Sequence, residues 1–353
     1  MPQRSERASD LDIKRLSLNQ KSAWDAFVLA HPDGTFFHRA GWSDVISESF
    51  GHRTHYLMAM SGGEIRGILP LTEIRSRLFG RSLISNAFCV YGGPLSLDEE
   101  ADAALDAAAW KIAEESGIPV LEYRSRRRTR LDWPAKDNLY VTFRKELSGS
   151  HDDNLKAIPR KQRAMVRKAI DRGLIGVVDP TPDRFFAMYS ASVRNLGTPV
   201  FSRRYFERLM QEFGSEDCDV VTIEHDGQAV SSVLNFYFRD EVLPYYGGGT
   251  AAARGLAAND FMYWEVMRRS TEYRGCNLFD FGRSKIGTGA FSFKKNWGFE
   301  PEPLVYEYRL APGAEVPDIN PLNPKYRLMV ETWKRLPLWL ANSIGPFISR
   351  DLG

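Results

Sequence analysis

The residues best suited to chemistry lie in the second half of the chain, in YYGGGTAAARGLAANDFMYWEVMRR and then LFDFGRSKIGTGAFSFKKNWGFE. In the second stretch Asp280 sits between Phe279 and Phe281, and Arg283, Lys285, Lys294 and Lys295 follow closely. An acid beside lysines suits transfer of an acyl group to an amine, because the amine must lose a proton and developing oxyanion or phosphate charge must be stabilised. A structural Asp280–Arg283 ion pair explains those two residues equally well. In the first stretch, Tyr245 and Tyr246 run into Gly247, Gly248 and Gly249, where a backbone without Cβ atoms lets a ligand come close. Asn259 or Asp260 can cap the next helix, whose first N–H groups favour an anion. An ordinary strand–loop–helix with flexible glycines is the competing explanation.

Other chemistries lack their residues. There is no GxxxxGK[ST] loop, no GxGxxG after a strand and no HExxH, and Gly282–Gly287 does not spell GxSxG. The six histidines show no ligand spacing, and Cys89, Cys218 and Cys276 show no CxxC, so no metal site and no disulfide framework are expected.

The elements that must position these residues repeat. A helix ending at Phe50-Gly51, the strand HYLMAM, a Gly62-Gly63 turn and the strand IRGILPL recur as a helix ending at Phe213-Gly214, CDVVTIEH, Asp226-Gly227 and QAVSSVLNFYF. YGG follows in each half, at Tyr91 and at Tyr246. A helix ending at Gly117 or Gly275 comes next, then an apolar strand with one acid, Leu121-Glu122-Tyr123 or Phe279-Asp280-Phe281. Hairpin turns and C-terminal glycines give these assignments local causes. The order predicts an α+β chain of two copies of one domain, each a mostly antiparallel sheet flanked by helices, over 1–150 and 151–310. A tail, 311–353, completes the chain.

The net charge of +2, from 47 Lys and Arg against 45 Asp and Glu, argues against a general polyanion-coating protein. It conceals a basic bridge. Residues 122–172 carry 15 Lys and Arg against seven acids, a balance of +8, and the rest of the chain sums to −6. Within the bridge, 155–172 predicts a basic helix that begins near Pro159, ends at Gly173 and lines up Lys156, Arg160, Arg163 and Arg167 on one face. Met165, Ala169 and Ile170 fall opposite. A solvated charged face and an anion-binding face are both compatible with this pattern.

The N-terminal residues lack an apolar core, which leads to the expectation of a cytoplasmic protein. The uncharged stretch LPLWLANSIGPFIS is too short to span a bilayer and is broken by Pro337 and Pro346. It either docks on the body of the protein or, with Lys334, Arg335 and Trp339, meets a partner or the inner face of a membrane.

From about Trp24 to Tyr308 the chain resembles the FemAB aminoacyltransferases, built of tandem GNAT-like acyltransferase domains. FFHRAGWSDVISESFG, GILPL and YGGPL look like the opening domain; NLKAIPRKQRAMVRKAIDRGL looks like the family's basic helix; LAANDFMYWEVMRR, LFDFGRS and FSFKKNWGFE look like its final-domain motifs. The resemblance implies transfer of an acyl or aminoacyl group to an amine of a peptidoglycan or exopolysaccharide precursor, with no tightly bound cofactor. Phe293 and Lys294 match the family's Phe-Lys pair, whose lysine is implied to stabilise donor charge. Arg163 and Arg167 match positions implied to face anionic substrate. The long helical hairpin that peptidoglycan-bridge members insert, associated with transfer-RNA use, has no room after Asp179-Pro180, so acyl-CoA competes with aminoacyl-tRNA as donor. Length and tail look closest to the subgroup associated with exosortase/PEP-CTERM systems.

The resulting expectations are Lys294 and Asp280 as catalytic groups, with Asp280 positioning or deprotonating the acceptor amine. Arg160, Arg163, Arg167, Lys168, Tyr246, Asn259, Arg283 and Phe293 are expected to hold substrate. The alternative is a non-catalytic envelope-associated protein that binds anionic lipid or RNA.

Overall fold

A computed structural model describes residues 11–77, 79–317 and 324–353, with side chains left out at 324–327. The chain divides into two units, one running up to Ala135 and adding Tyr306–Val316 and Gly353, the other comprising Lys136–Val305 and Pro317–Leu352.

The first unit runs β1 (Asp12–Arg15), α1 (Lys21–Ala30), α2 (Trp42–Phe50), β2 (Arg53–Ser61), β3 (Glu64–Ser76), β4 (Gly80–Ser85), β5 (Leu95–Ser96), α3 (Glu99–Glu115), β6 (Val120–Ser125) and β7 (Ala135–Lys136). Its sheet has the order β1-β2-β3-β4-β6-β16-β7, where β16 (Val305–Leu310) returns from late in the chain and β5 pairs with β3. One face of α3 buries Ala101, Leu105, Ala109 and Ile112 against Leu57, Leu69, Leu83 and Leu121 of the sheet. Asp98 starts that helix by accepting the Ala101 N–H at 2.8 Å.

The second unit runs β8 (Tyr140–Glu146), α4 (His151–Ala157), α5 (Arg160–Asp171), β9 (Ile175–Asp179), α6 (Asp183–Leu196), α7 (Arg203–Asp217), β10 (Cys218–His225), β11 (Gln228–Phe238), β12 (Glu241–Gly249), α8 (Ala251–Leu256), α9 (Ala258–Arg274), β13 (Leu278–Asp280), β14 (Ser284–Lys285), α10 (Gly289–Asn296) and β15 (Pro301–Pro303). The sheet order is β14-β8-β13-β12-β11-β10-β9, with β15 against β8. Two helices follow, α11 (Pro324–Lys334) and α12 (Leu338–Ser349).

The expected duplication is present in the topology. The hairpins β2/β3 and β10/β11 close at Ser61↔Glu64 and His225↔Gln228, across the two dipeptide turns read from the sequence. Each unit then holds a parallel pair bridged by a long helix, β4 and β6 around α3, β12 and β13 around α9. Both units are mixed α+β with mostly antiparallel sheets. One strand from each side crosses the midpoint anticipated from the sequence. β8, placed by sequence in the first copy, pairs with β13 in the second sheet, and β16 joins the first. Strand pairing follows edge complementarity over long sequence separations, which local periodicity does not encode.

Candidate active site

Lys294 lies on α10, whose first turn is capped by Thr288 accepting the Phe291 N–H at 3.3 Å. Its side chain turns inward and is buried, and Nζ donates to the carbonyls of Gly282 at 2.8 Å and Arg283 at 3.2 Å. The rings of Phe281 and Phe143 lie 5.5 and 5.7 Å from the nitrogen. Burial pulls the amine down to a pKa of about 7; the charge of Asp280 opposes the shift and that of Arg283 adds to it. Such an amine changes charge near neutrality.

Asp280 ends β13 and is fully buried. Oδ1 accepts the Thr142 hydroxyl at 2.8 Å and the Gly282 N–H at 2.8 Å, and Oδ2 stands 3.6 Å from Arg144 Nε. Arg144 also pairs with Glu241. Thr142 and Arg144 were missed by the sequence reading, although YVTFRKE carries the signal: period-2 alternation puts them on the face opposite Val141 and Phe143. What the sequence did not contain was the antiparallel register Asp280↔Arg144 that gives them their partner.

The sheet opens beside this acid. β12 and β13 pair only at Glu241↔Leu278 and Val242↔Phe279; β13 then stays with β8 while β12 stays with β11. Asp280 is the first residue of β13 beyond the last parallel pair. On β12 the register against β11 slips between Leu234↔Tyr246 and Asn235↔Pro244, leaving Tyr245 as an extra residue. Pro244 has no N–H to give the ladder, which suits a bulge. Past Val242, no strand among the described residues pairs with the β13-facing edge of β12. An aromatic group stands nearby: Tyr263 of α9 packs on Phe281, Phe293 and Trp297 at 4.6, 5.7 and 6.3 Å between ring centroids. Phe293 is thus half-buried in the same cluster, and Arg283, exposed, lies over the Tyr140 ring at 4.8 Å.

Three expectations change in detail. The glycines after Tyr246 admit protein rather than leaving open backbone: a Cβ on Gly248 would come within 2.7 Å of the Met188 carbonyl and Tyr189 Cα of α6. Tyr246 is buried among Tyr189, Phe201, Tyr205 and Phe206, its hydroxyl 3.0 Å from that of Tyr205. Neither Asn259 nor Asp260 caps α9, because the extra helix α8 runs into it through Ala257 at φ 58°. Asp260 instead accepts the Trp297 indole N–H at 3.1 Å, and burial raises its pKa. Asn259 is exposed, with Oδ1 close to Gly249.

The basic helix begins at Arg160 after Pro159 and is followed by Gly173 in the left-handed region, as read from the sequence. Lys156 belongs to the separate helix α4, so the shared face starts at Arg160; Ile158 and Pro159 are extended and break the run. Val166 and Ala169 are the buried positions and Met165 is half-buried, whereas Ile170 is exposed. Arg163 Nη1 donates to the Lys156 carbonyl at 2.8 Å, and Arg160, Arg167 and Lys168 face solvent. A cavity of about 540 Å³ is lined by Arg160, Arg163, Arg167, Lys168 and Arg172 with Asp171, and neither Lys294 nor Asp280 lines it. The structure therefore joins Lys294, Asp280, Arg283 and Phe293 at one corner and leaves the α5 residues, Tyr246 and Asn259 elsewhere in the unit.

No group of three or more His, Cys, Asp or Glu able to hold a metal occurs among the described residues. Among them, no helix is long and apolar enough to cross a membrane.

Residues 160–295 match the family model described as an acetyltransferase (GNAT) domain. No curated protein matches the sequence. Among solved structures, FemX superposes with a TM-score of 0.68 at 16% identity, over 84% of this chain and 96% of that one. A tandem GNAT protein from the clavulanic acid biosynthesis pathway gives 0.54 at 16% identity, over 86% and 100%. The C-terminal domain of a putative lysylphosphatidylglycerol synthetase from Agrobacterium fabrum gives 0.55 at 15% identity, over 83% and 93%. At these identities the likeness speaks for the fold. The chain has the fold of two tandem GNAT-like domains, the second of which carries the acetyltransferase-domain match.

Proposed function

We propose that the protein is an N-acyltransferase that moves an acyl or aminoacyl group onto an amine of a cell-envelope precursor, at the place where β12 and β13 separate. The observation that carries this reading is a β12 edge with no strand partner among the described residues, next to a buried lysine of pKa about 7. A donor whose arm contains amide groups, as the pantetheine of acyl-CoA does, can pair with the β12 edge as an added strand would. Its carbonyl is then held while the acceptor amine attacks. The new C–N bond forms, the C–S or C–O bond to the carrier breaks, and the amine proton leaves as the carrier thiol or hydroxyl gains one.

Lys294 is assigned the charge-stabilising part. With its pKa near neutrality it takes a proton when negative charge approaches, and the ammonium then offsets the oxyanion or donor charge. Asp280 is fully enclosed and already accepts two hydrogen bonds, so its part is to hold Lys294 and the Gly282 corner in place. The cationic face of α5 would hold phosphate groups of the precursor through Arg160, Arg163, Arg167 and Lys168. Acyl-CoA is preferred as donor over aminoacyl-tRNA. A peptidoglycan or exopolysaccharide precursor as acceptor, the relation to exosortase systems and work at the cytoplasmic side of the envelope rest on the sequence resemblance.

The test is to incubate the full chain with acyl-CoA thioesters or aminoacyl-tRNA and a panel of amine acceptors, following thiol release and the mass gained by the acceptor. Acceptor mass should rise with an acyl-CoA donor, and Lys294→Gln should lower kcat by about 10²–10³-fold, the loss typical for one oxyanion donor. Unchanged turnover in Lys294→Gln, or no consumption of either donor class, would overturn the reading.

A further inference from the structure

The helix α12 is packed inside out. It contains no charged residue, and both of its large aromatic side chains point to solvent: Trp339 is 70% exposed and Phe347 is 73% exposed. Every other Trp and Phe among the described residues is buried or half-buried. The buried row is Ala341, Gly345 and Ser349, spaced i, i+4, i+8. The outward row, Trp339, Ser343 and Phe347, has the same spacing and is displaced by two residues, about 200° around the helix, which puts it on the opposite side. Ile344 is exposed beside it.

The small row exists because the helix lies close to its support. A Cβ on Gly345 would stand 3.0 Å from the Val200 backbone nitrogen, Ser349 donates to the Val200 carbonyl at 3.0 Å, and Asn342 Nδ2 lies 3.4 Å from Ser190 Oγ of α6. The neighbouring α11 also rests on α6, where Arg194 donates to the Lys334 carbonyl at 3.3 Å, and it exposes Leu328 and Met329. A helix that had only to cover α6 would turn its Trp and Phe inward, since taking large apolar surface out of water is favourable.

Charge identifies the occupant. Residues 325–353 carry Lys325, Arg327, Lys334, Arg335 and Arg350 against Glu331 and Asp351, a balance of +3, and the helix is flanked by basic residues at both ends. Aromatic residues on the apolar side of a short helix with a basic rim favour the headgroup region of an anionic bilayer. We propose that α12 seats the protein on an anionic lipid surface, with Trp339 and Phe347 inserted and the flanking basic residues at headgroup level. This goes beyond the acyltransfer reading and does not depend on it.

The test uses the full chain with vesicles of phosphatidylglycerol or phosphatidylcholine. Wild-type protein should co-sediment with phosphatidylglycerol, weaken as salt rises, and lose tryptophan fluorescence when the acyl chains carry bromine. Trp339→Ser/Phe347→Ser should lower the partition coefficient at least tenfold with melting temperature and mass in solution unchanged. Equal binding to both lipids, no binding to either, or double-variant binding equal to wild type would overturn the proposal. So would a wild-type dimer that the double variant splits, because the face would then belong to a second copy of the chain.

Discussion

Asp280 and Lys294 hold the same residue from two sides. Asp280 Oδ1 accepts the Gly282 N–H at 2.8 Å, and Lys294 Nζ donates to the Gly282 carbonyl at 2.8 Å. Gly282 itself has φ +71°, which a side chain would strain, so the corner after β13 is fixed by backbone conformation and by a carboxyl and an amine on its two sides.

The pKa of Lys294 makes stability depend on pH. Its folded value of about 7 lies below its ordinary 10.5. Between these values the unfolded chain binds the extra proton, so this residue makes stability rise with pH by up to about 1.4 kcal/mol per unit, and contributes no slope below or above that window. Urea denaturation of wild type and Lys294→Met at pH 7 and pH 9.5 should give a wild-type gain that the variant lacks. Equal gains would mean that the amine is not desolvated in the folded protein.

Asp280→Asn keeps one acceptor and removes the charge. The variant should lose about 1–3 kcal/mol of stability, and Lys294 should titrate at lower pH than in wild type because the group that holds its proton is gone. Asp280→Ala should cost more, about 3–5 kcal/mol, because it leaves charged groups without their buried partner. NMR titration of the lysine side chain reads the first effect; chemical denaturation reads the second.

Two glycines in one stretch should respond in opposite directions. Gly248→Ala forces a methyl into the α6 backbone and should destabilise by about 1–3 kcal/mol. Gly255→Ala lies within α8 with nothing within 4 Å of the new Cβ and should stabilise by roughly 0.4–1 kcal/mol. Thermal or urea melts of both variants decide this.

Charge reversal on α5 should separate binding from folding. Arg160→Glu/Arg167→Glu/Lys168→Glu changes exposed residues only and should leave the melting temperature within a few degrees, while weakening a nucleoside diphosphate probe at least tenfold. Arg163→Ala should also loosen the α4–α5 junction, since its guanidinium holds the Lys156 carbonyl. Calorimetric titration at low and high salt measures the first effect, and an undiminished affinity would remove α5 from the substrate site.

Much of this was legible before folding because its causes are local. Gly275 and Gly173 mark helix ends through their left-handed backbone, and Asp226-Gly227 makes a hairpin for the same reason. The reach of the basic helix failed at Lys156, where extended Ile158 and Pro159 interrupt a spacing that periodicity alone continues. That Asp280 sits on a short apolar strand was readable from Phe279 and Phe281 on either side.

The sequence by itself determined the residue types, the repeated order of elements, the caps and turns, and the concentration of positive charge, since each depends on neighbours within a few residues. Tertiary structure decided what those residues do to one another. Thr142 reaches Asp280 across 138 residues of chain. Its strand β8 joins the second sheet, and the burial that brings Lys294 to a pKa of about 7 arises only when that sheet closes over it. The orientation of α12 was settled in the same way: composition made it apolar, but the close approach of Val200 at Gly345 selected the small side chains for the inside and left Trp339 and Phe347 facing out.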